Sequence, residues 1–177
     1  MANFIQRMIR AARLDVALYE EVEADRSALG QALAVVALSS LAAGIGSIGR
    51  FGSVNHIVLV ILGALGGWFV WAVLVYWIGA RLLPEPQTRS DLGELLRTIG
   101  FATAPGLIRV LGVFPGVGGV VFAVAAIWML VAVIIAVRQA LDYTSTLRAI
   151  GVCAIGWLVQ AVLLLLAIGV AARGSGD

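Results

Sequence analysis

The sequence predicts an all-α membrane protein in which five transmembrane helices follow an N-terminal amphipathic helix at the membrane interface. Of its 177 residues 62% are hydrophobic, and the mean hydropathy is +1.04, whereas soluble domains are about half apolar. The apolar residues gather into five runs of about 20, the length that a helix needs to cross a bilayer. These runs predict an interfacial helix in residues 1–27, a five-helix membrane domain in residues 28–172 and a tail in residues 173–177.

Residues Asn3–Asp25 are predicted to form one amphipathic helix. Its apolar residues recur at spacings of three and four, as one face of a helix requires. The stripe consists of Ile5, Met8 or Ile9, Ala12, Val16 and Tyr19. In one interpretation the helix lies among lipid headgroups, and Arg7, Arg10 and Arg13 bind anionic lipid. In the other, the helix packs against the cytoplasmic face of the protein itself. The residue pattern leaves both interpretations open.

The first two spans differ in their small residues. The first covers Ala28–Ile48 and is rich in alanine and glycine, which let helix backbones approach closely in lipid. A short turn at Arg50–Asn55 leads into the second span, Val54–Leu83. At 1.5 Å per residue this span is roughly 45 Å long, so it must tilt or extend into the interface. Gly63 and Gly67 form a GxxxG pair of the kind found at helix-packing seams.

The third span, Leu95–Phe114, is the most unusual part of the sequence. The polar segment before it ends with Asp91 and Glu94, a spacing typical of a capping box at a helix start. Pro105 lacks a backbone N–H and is expected to kink the span near its middle. A glycine-rich turn at Phe114–Gly119 then requires the fourth span to return antiparallel beside the third.

The last two spans are plainer. The fourth, Val117–Val137, contains no charged residue. The polar loop Arg138–Arg148 connects it to the fifth, Leu147–Ala172, whose first turn can be capped by Thr144 or Ser145.

The arginines are distributed unevenly between the two sides of this layout, and such a bias sets the orientation of a membrane protein. With the N-terminus in the cytoplasm, nine arginines fall on the cytoplasmic side and three fall outside. The three outside are Arg50, Arg109 and Arg173. The sequence therefore predicts a multi-pass protein of a bacterial cytoplasmic (inner) membrane, with its N-terminus cytoplasmic and its C-terminus outside.

No catalytic or metal-binding pattern is recognisable. The single histidine, His56, and the single cysteine, Cys153, are too distant in sequence to suggest a metal site. No pair of acidic residues falls within a span, so acid–base catalysis is not expected. All basic residues are arginine, and no basic patch interleaved with aromatic residues suggests nucleic acid. We expect a non-enzymatic protein without a cofactor, embedded in the lipid bilayer, with a homo- or hetero-oligomeric membrane partner.

The candidate site lies in the third span and comprises Arg97, Thr103, Pro105 and Arg109. An arginine inside a bilayer is costly, so it faces protein, water or headgroups. Arg97 lies near the inner boundary, where its side chain can reach headgroups. Arg109 either reaches the outer headgroups or lines a polar notch opened by Pro105, with Thr103 and freed carbonyls as partners. Such a notch would hold a lipid phosphate, a small anion or a partner. Gln160, in the fifth span, is interpreted as a contact between helices.

Several stretches of the sequence resemble the Yip1 family of membrane proteins. The resemblance is strongest in GFATAPGLIRVLG and the following FPGVGG; VRQALDYTSTLRAI is similar as well, and LDVALYEEVEAD matches more loosely. The resemblance implies a Yip1-like domain of five membrane helices without enzyme activity. Eukaryotic relatives act in vesicle traffic and bind Rab-type GTPases. The acidic-aromatic motif of those relatives is absent from residues 1–27, and the chain looks more like the compact prokaryotic members.

Two functions fit this sequence. The first is a membrane-organising scaffold or partner-binding subunit. The second is a small transporter, channel-like or lipid-binding protein that uses the notch around Pro105 and Arg109. A densely filled interior between the third, fourth and fifth spans favours the scaffold, and an open cavity there favours the second function.

Overall fold

A computed structural model of the chain describes residues 3–47 and 54–174, and these residues are arranged as seven α-helices joined by turns and shorter helical segments. The helices are α1 (Phe4–Ala12), α2 (Val16–Ala24), α3 (Leu29–Gly46), α4 (Val54–Val75), α5 (Leu92–Phe101), α6 (Gly118–Ala140) and α7 (Thr146–Gly174). Five helical stretches are long and apolar enough to cross a membrane: Arg26–Gly46, Val58–Leu82, Leu92–Val113, Gly118–Ala140 and Thr146–Leu163. The predicted fold class, five spans after an N-terminal helical segment, is confirmed.

The prediction of one continuous helix over Asn3–Asp25 is wrong, because the chain reverses between α1 and α2. Leu14 sits at the turn with φ +61°, in the left-handed region, and Asp15 caps α2 by accepting a hydrogen bond from Ala17 N. The reversal brings the apolar residues of α2 back onto the bundle, where Leu18, Tyr19 and Val22 are fully buried. The single apolar stripe that the spacing predicted is therefore divided between two helices.

The first and third spans pack closely through small residues. A Cβ atom on Gly100 would lie 2.7 Å from Cβ of Ala32, and one on Gly46 would lie 1.9 Å from the carbonyl oxygen of Arg109. These contacts hold α3 parallel to the third span, since Ala32 lies beside Gly100 and Gly46, later in α3, lies beside Arg109, later in the third span. The predicted GxxxG pair is packed less closely. A Cβ atom added to Gly63 would meet no other part of the described chain within 4 Å, and one added to Gly67 would meet the Gln160 side chain at 3.9 Å. That pair forms no tight seam within the described chain.

The second span changes its helical form near one end. After α4 the chain continues as a π-helix over Tyr76–Leu82, and Leu83 N accordingly donates to Ile78 O, five residues back, at 2.9 Å. Tyr143, from the loop after α6, donates its hydroxyl to Gly79 O at 2.9 Å and to Leu83 O at 2.8 Å. The wide turn is thus stabilised by a residue distant in sequence.

The third span is composed of two segments rather than one kinked α-helix. The predicted capping box is confirmed at the start of α5, where Asp91 Oδ1 accepts from Glu94 N and Glu94 Oε2 accepts from Asp91 N, both at 2.8 Å. The α-helix ends at Phe101, and a 3₁₀-helix over Ala104–Val113 completes the span. Pro105 lies in its first turn, where a missing N–H costs no hydrogen bond.

The turn before α6 is as predicted from the sequence, whereas the end of α7 differs from the prediction. Gly116 has φ +84° in the turn after the third span, so α6 returns antiparallel as predicted. Helix α7 continues to Gly174, two residues into the tail predicted for 173–177, and the rest of that tail lies outside the described residues. Most of the predicted turn Arg50–Asn55 lies outside them as well.

The close contact of α3 with α5 gives a stability prediction. Gly100→Val should lower the melting temperature in detergent, because its side chain would overlap Ala32, and overpacking of this kind costs about 1–3 kcal/mol. Gly66→Val is the matched control, since nothing among the described residues lies within 4 Å of Gly66. Equal melting temperatures for the two variants would contradict the contact.

Candidate functional site

A cavity of about 440 Å³ lies among the spans, with walls from α3, α4, the third span, α6 and α7. Its polar lining includes Ser39, Ser40, Thr103, Arg109 and Gln160. Its aromatic lining consists of Trp68, Trp71 and Trp157. We call this space the Arg109 cavity. Its volume falls within the range of roughly 300–1,000 Å³ that is usual for small-molecule sites.

The Arg109 side chain turns back toward the middle of the bundle. Its Nε donates to Gly106 O at 3.0 Å, and its Nη2 donates to Ser39 O at 3.2 Å and to Ser39 Oγ at 2.8 Å. Ser39 is central in the 18-residue helix α3, so the guanidinium points away from the end of its own span. Gly106 makes this geometry feasible, because a Cβ there would lie 2.2 Å from Ser39 Oγ and 2.6 Å from Arg109 Nη2.

The charge of Arg109 is balanced by no carboxylate in residues 3–47 and 54–174. The ion pairs found there involve Arg7, Arg10 and Arg148, while the hydrogen-bond partners of Arg109 are a hydroxyl and two carbonyls. Its Nη1 group donates to no acceptor in the same part of the chain. A guanidinium at membrane depth with only neutral partners is the arrangement in which a bound anion contributes most.

The other notch residues occupy different environments. Thr103 lines the Arg109 cavity and donates its hydroxyl to Gly100 O at 2.7 Å, and Pro105 is buried beside it. Arg97 lies elsewhere: it is 5% exposed, donates Nε to Val22 O at 2.9 Å and also donates Nη2 to Glu23 O. These carbonyls lie in the last turn of α2, where a cation is favourable. The structure therefore separates Arg97 from the notch and gives it a role in holding α2.

The aromatic wall of the cavity contains an unsatisfied donor. Trp71 and Trp157 are stacked with ring centroids 5.6 Å apart, and Gly156 leaves room for the Trp71 ring, which would lie 2.9 Å from a Cβ there. Trp68 Nε1 is buried and has no hydrogen-bond partner among the described residues. Buried indole donors normally find an acceptor, and the described part of the chain supplies none for Trp68 Nε1.

The family model of the Yip1 domain matches residues 16–168. The chain belongs to the Yip1 family. The matched region contains α2 and all five spans with the Arg109 cavity, whereas α1 precedes it. A search of curated proteins and a search of solved structures gave no match.

The sequence predicts Arg109 and Thr103 in one notch, and both line the Arg109 cavity. The other polar residues of the lining are not predicted. The sequence prediction gives Ser39 no role, although two adjacent serines within an apolar run are a signal for a polar contact. Gln160 was interpreted as a contact between helices, and the structure places it on the wall of the cavity. Neither spacing nor hydropathy brings the α3 serine to Arg109, 70 residues later.

The N-terminal arginines are engaged within the protein. Arg7 is 5% exposed and pairs with Glu21 and Asp25, both at 2.9 Å. Arg10 pairs with Asp15 at 2.7 Å and with Glu21 at 2.5 Å. Of the two interpretations of the N-terminal segment, the geometry favours packing on the protein for these two side chains.

A second, polar cavity of about 790 Å³ lies at the end of the bundle covered by α2. Glu23, Glu94 and Asp142 line it together with Arg138. Burial and the neighbouring carboxylates of Glu94 and Asp142 raise the pKa of Glu23 from its ordinary value of 4.5 to about 7, although Arg97 acts in the opposite direction. We call this end of the molecule the α2 face.

The raised pKa of Glu23 makes stability depend on pH. The folded state binds the proton on Glu23 more tightly than the unfolded chain does. The contribution of Glu23 to the free energy of unfolding is therefore fully present below about pH 4.5 and is lost as pH rises through about 7. Glu23→Gln should weaken the fall in melting temperature between pH 5 and pH 8. Identical pH profiles for the variant and the natural chain would show that Glu23 does not titrate in this range.

Proposed function

We propose that this Yip1 protein is a non-enzymatic membrane protein that binds the anionic headgroup of a lipid in the Arg109 cavity. The observation that carries the proposal is the guanidinium of Arg109, which faces an open space at membrane depth with neutral partners only. Under the criterion set by the sequence, an open cavity among the spans favours lipid or anion binding over a purely structural role.

The chemistry of the walls favours a phosphate-bearing headgroup attached to an apolar chain. A guanidinium presents a planar set of donors that matches phosphate and carboxylate oxygens. Ser40 and Thr103 also line the cavity, and their hydroxyls donate to Val36 O and Gly100 O, which leaves their oxygens as acceptors. The stacked rings of Trp71 and Trp157 provide apolar surface for an acyl chain. A volume of about 440 Å³ accommodates a headgroup and part of a chain rather than a whole two-chain lipid.

Replacing Arg109 tests this function. Arg109→Leu should remove a lipid that co-purifies in stoichiometric amount with the natural protein, because the charge that binds the headgroup is lost. Native mass spectrometry from nanodiscs measures the bound mass, and gel filtration checks that the variant remains folded. Arg81→Leu is the matched control, since Arg81 is exposed at the end of the second span and its hydrogen-bond partner in the described part of the chain is Tyr76.

Two further results decide the proposal. Trp68→Phe keeps an aromatic side chain, although a smaller one, and removes the unsatisfied Nε1 donor, so it should weaken lipid retention without changing the fold. An unchanged complement of lipid in both Arg109→Leu and Trp68→Phe would contradict lipid binding in this cavity.

A partner-binding scaffold is the second candidate. Gly63 and Gly66 lie on the exposed side of α4 with nothing among the described residues within 4 Å, which is the kind of surface that lets another membrane helix approach closely. The same mass spectra distinguish this role. Detection of a second copy or of another membrane protein at a fixed ratio would support the scaffold, and detection of only the monomer with bound lipid would oppose it.

We also propose that the α2 face lies in the cytoplasm of a bacterium and that the C-terminus lies outside. The nine-to-three arginine bias supports this orientation. Contacts between Glu20 and Gln139 and between Glu85 and Arg148 support a common face for α2 and the loops after the second and fourth spans.

Cysteine labelling measures the orientation. Arg89→Cys should react with a membrane-impermeant maleimide only after permeabilisation, whereas Val117→Cys, in the turn before α6, should react in intact cells. The reverse pattern would invert the proposed orientation.

A further inference from the structure

Two isoleucines of α1 face away from the helices on which α1 packs. Ile5 and Ile9 are 60% and 47% exposed, while Arg7 and Ala11 are buried. Successive residues of an α-helix are about 100° apart, so positions two apart lie on nearly opposite sides. The side of α1 that meets the bundle carries Arg7, Ala11 and Met8, and the outer side carries Ile5 and Ile9, which we call the Ile5–Ile9 stripe. Some apolar environment other than the core of this chain must cover them.

The end of α1 lies beside the middle of a membrane span. Trp128 Nε1 donates to Ala12 O at 2.8 Å, and Trp128 is central in the 23-residue helix α6. At 1.5 Å per residue the middle of this helix is roughly 15 Å from either end, which is half of the ~30 Å hydrocarbon thickness. Ala11 packs in one core cluster with Ala104 and Ala132, which are also well inside their spans.

The charges of α1 are arranged for such a depth. Arg7 and Arg10 form ion pairs with acidic residues of the Asp15–Asp25 segment, and Arg7 also donates to Gln31 Oε1 at 3.0 Å. Pairing lowers the cost of placing a guanidinium in a medium of low dielectric constant. Arg13 is exposed at the end of the helix, and at such a depth its guanidinium meets water or headgroups only where the bilayer thins locally.

The stripe is continuous with a lipid-facing surface. Around Trp128, helix α6 exposes Val124, Ile127 and Val131 by 47%, 65% and 40%. These residues belong to a span and face acyl chains when the span crosses the membrane. Since Trp128 donates a hydrogen bond to Ala12 O, the outer side of α1 lies next to this apolar surface of α6.

We infer that α1 is sunk into the acyl-chain region of one leaflet, with its Ile5–Ile9 stripe in contact with lipid tails. In this arrangement hydrophobic burial holds α1 in the membrane, and attraction between its arginines and anionic headgroups is not required. The inference concerns a surface separate from the Arg109 cavity and does not depend on a ligand there.

Site-directed spin labelling tests the inference on the full chain in nanodiscs. The natural cysteine, Cys153, is 1% exposed, so a label can be attached to one introduced cysteine at a time. A label at Ile9 should collide with dissolved oxygen more often than with a water-soluble nickel complex, as a label at Ile127 does. A label at Arg89, which lies exposed in the loop before α5, should show the opposite order.

Three outcomes would overturn the inference. The first is nickel accessibility at Ile9 equal to that at Arg89, which would place α1 in water. The second is an oxygen-rich profile in anionic nanodiscs that disappears in neutral phosphatidylcholine, which would make charge the cause of binding. The third is dipolar broadening between Ile9 labels, which would place a second copy on the stripe. A label at Ile5 repeats each measurement independently.

Discussion

A guanidinium held within a membrane must have its donors and its charge satisfied, and much of this structure follows from how three arginines meet that requirement. Arg7 is surrounded by carboxylates of the Asp15–Asp25 segment, so α1 and α2 are held together by paired charges. Arg97 donates to carbonyls at the end of α2 and thereby ties this helix to α5. Arg109 meets only neutral oxygens of Ser39 and Gly106 in the described chain. The first two arginines stabilise the fold, and the third has no carboxylate partner in residues 3–47 and 54–174.

The third span, which carries Arg109, also determines where the Arg109 cavity forms in the bundle. Close contacts at Gly46, Gly100 and Gly106 bring α3 against the third span, and the change to a 3₁₀-helix after Phe101 narrows that span. On the other side, bulky tryptophans at positions 68, 71 and 157 keep α4 and α7 from packing as tightly. Glycine on one side and indole rings on the other therefore leave a cavity at the boundary between them.

The sequence predicts the spans well, because each must contain enough apolar residues to cross a bilayer, and length and hydropathy express that requirement directly. The capping box of Asp91 and Glu94 is predictable for a different reason, which is that its hydrogen bonds join residues within four positions of each other. The features that were missed depend on distant contacts. The turn at Leu14 exists because α2 packs on α5 and α6, and the π-helix is stabilised by Tyr143 from another loop. Arg97 was placed among the notch residues because its partners in α2 are 75 residues away in the chain.

The contacts between the ends of the second and fifth spans affect how these spans can separate. Tyr143 binds carbonyls of the π-helix, while Glu85 accepts hydrogen bonds from Thr144 and pairs with Arg148 at 3.4 Å. The polar contacts therefore resist separation of the second and fifth spans at the end beside the α2 face, and the stacked rings of Trp71 and Trp157 add a contact further along the two helices.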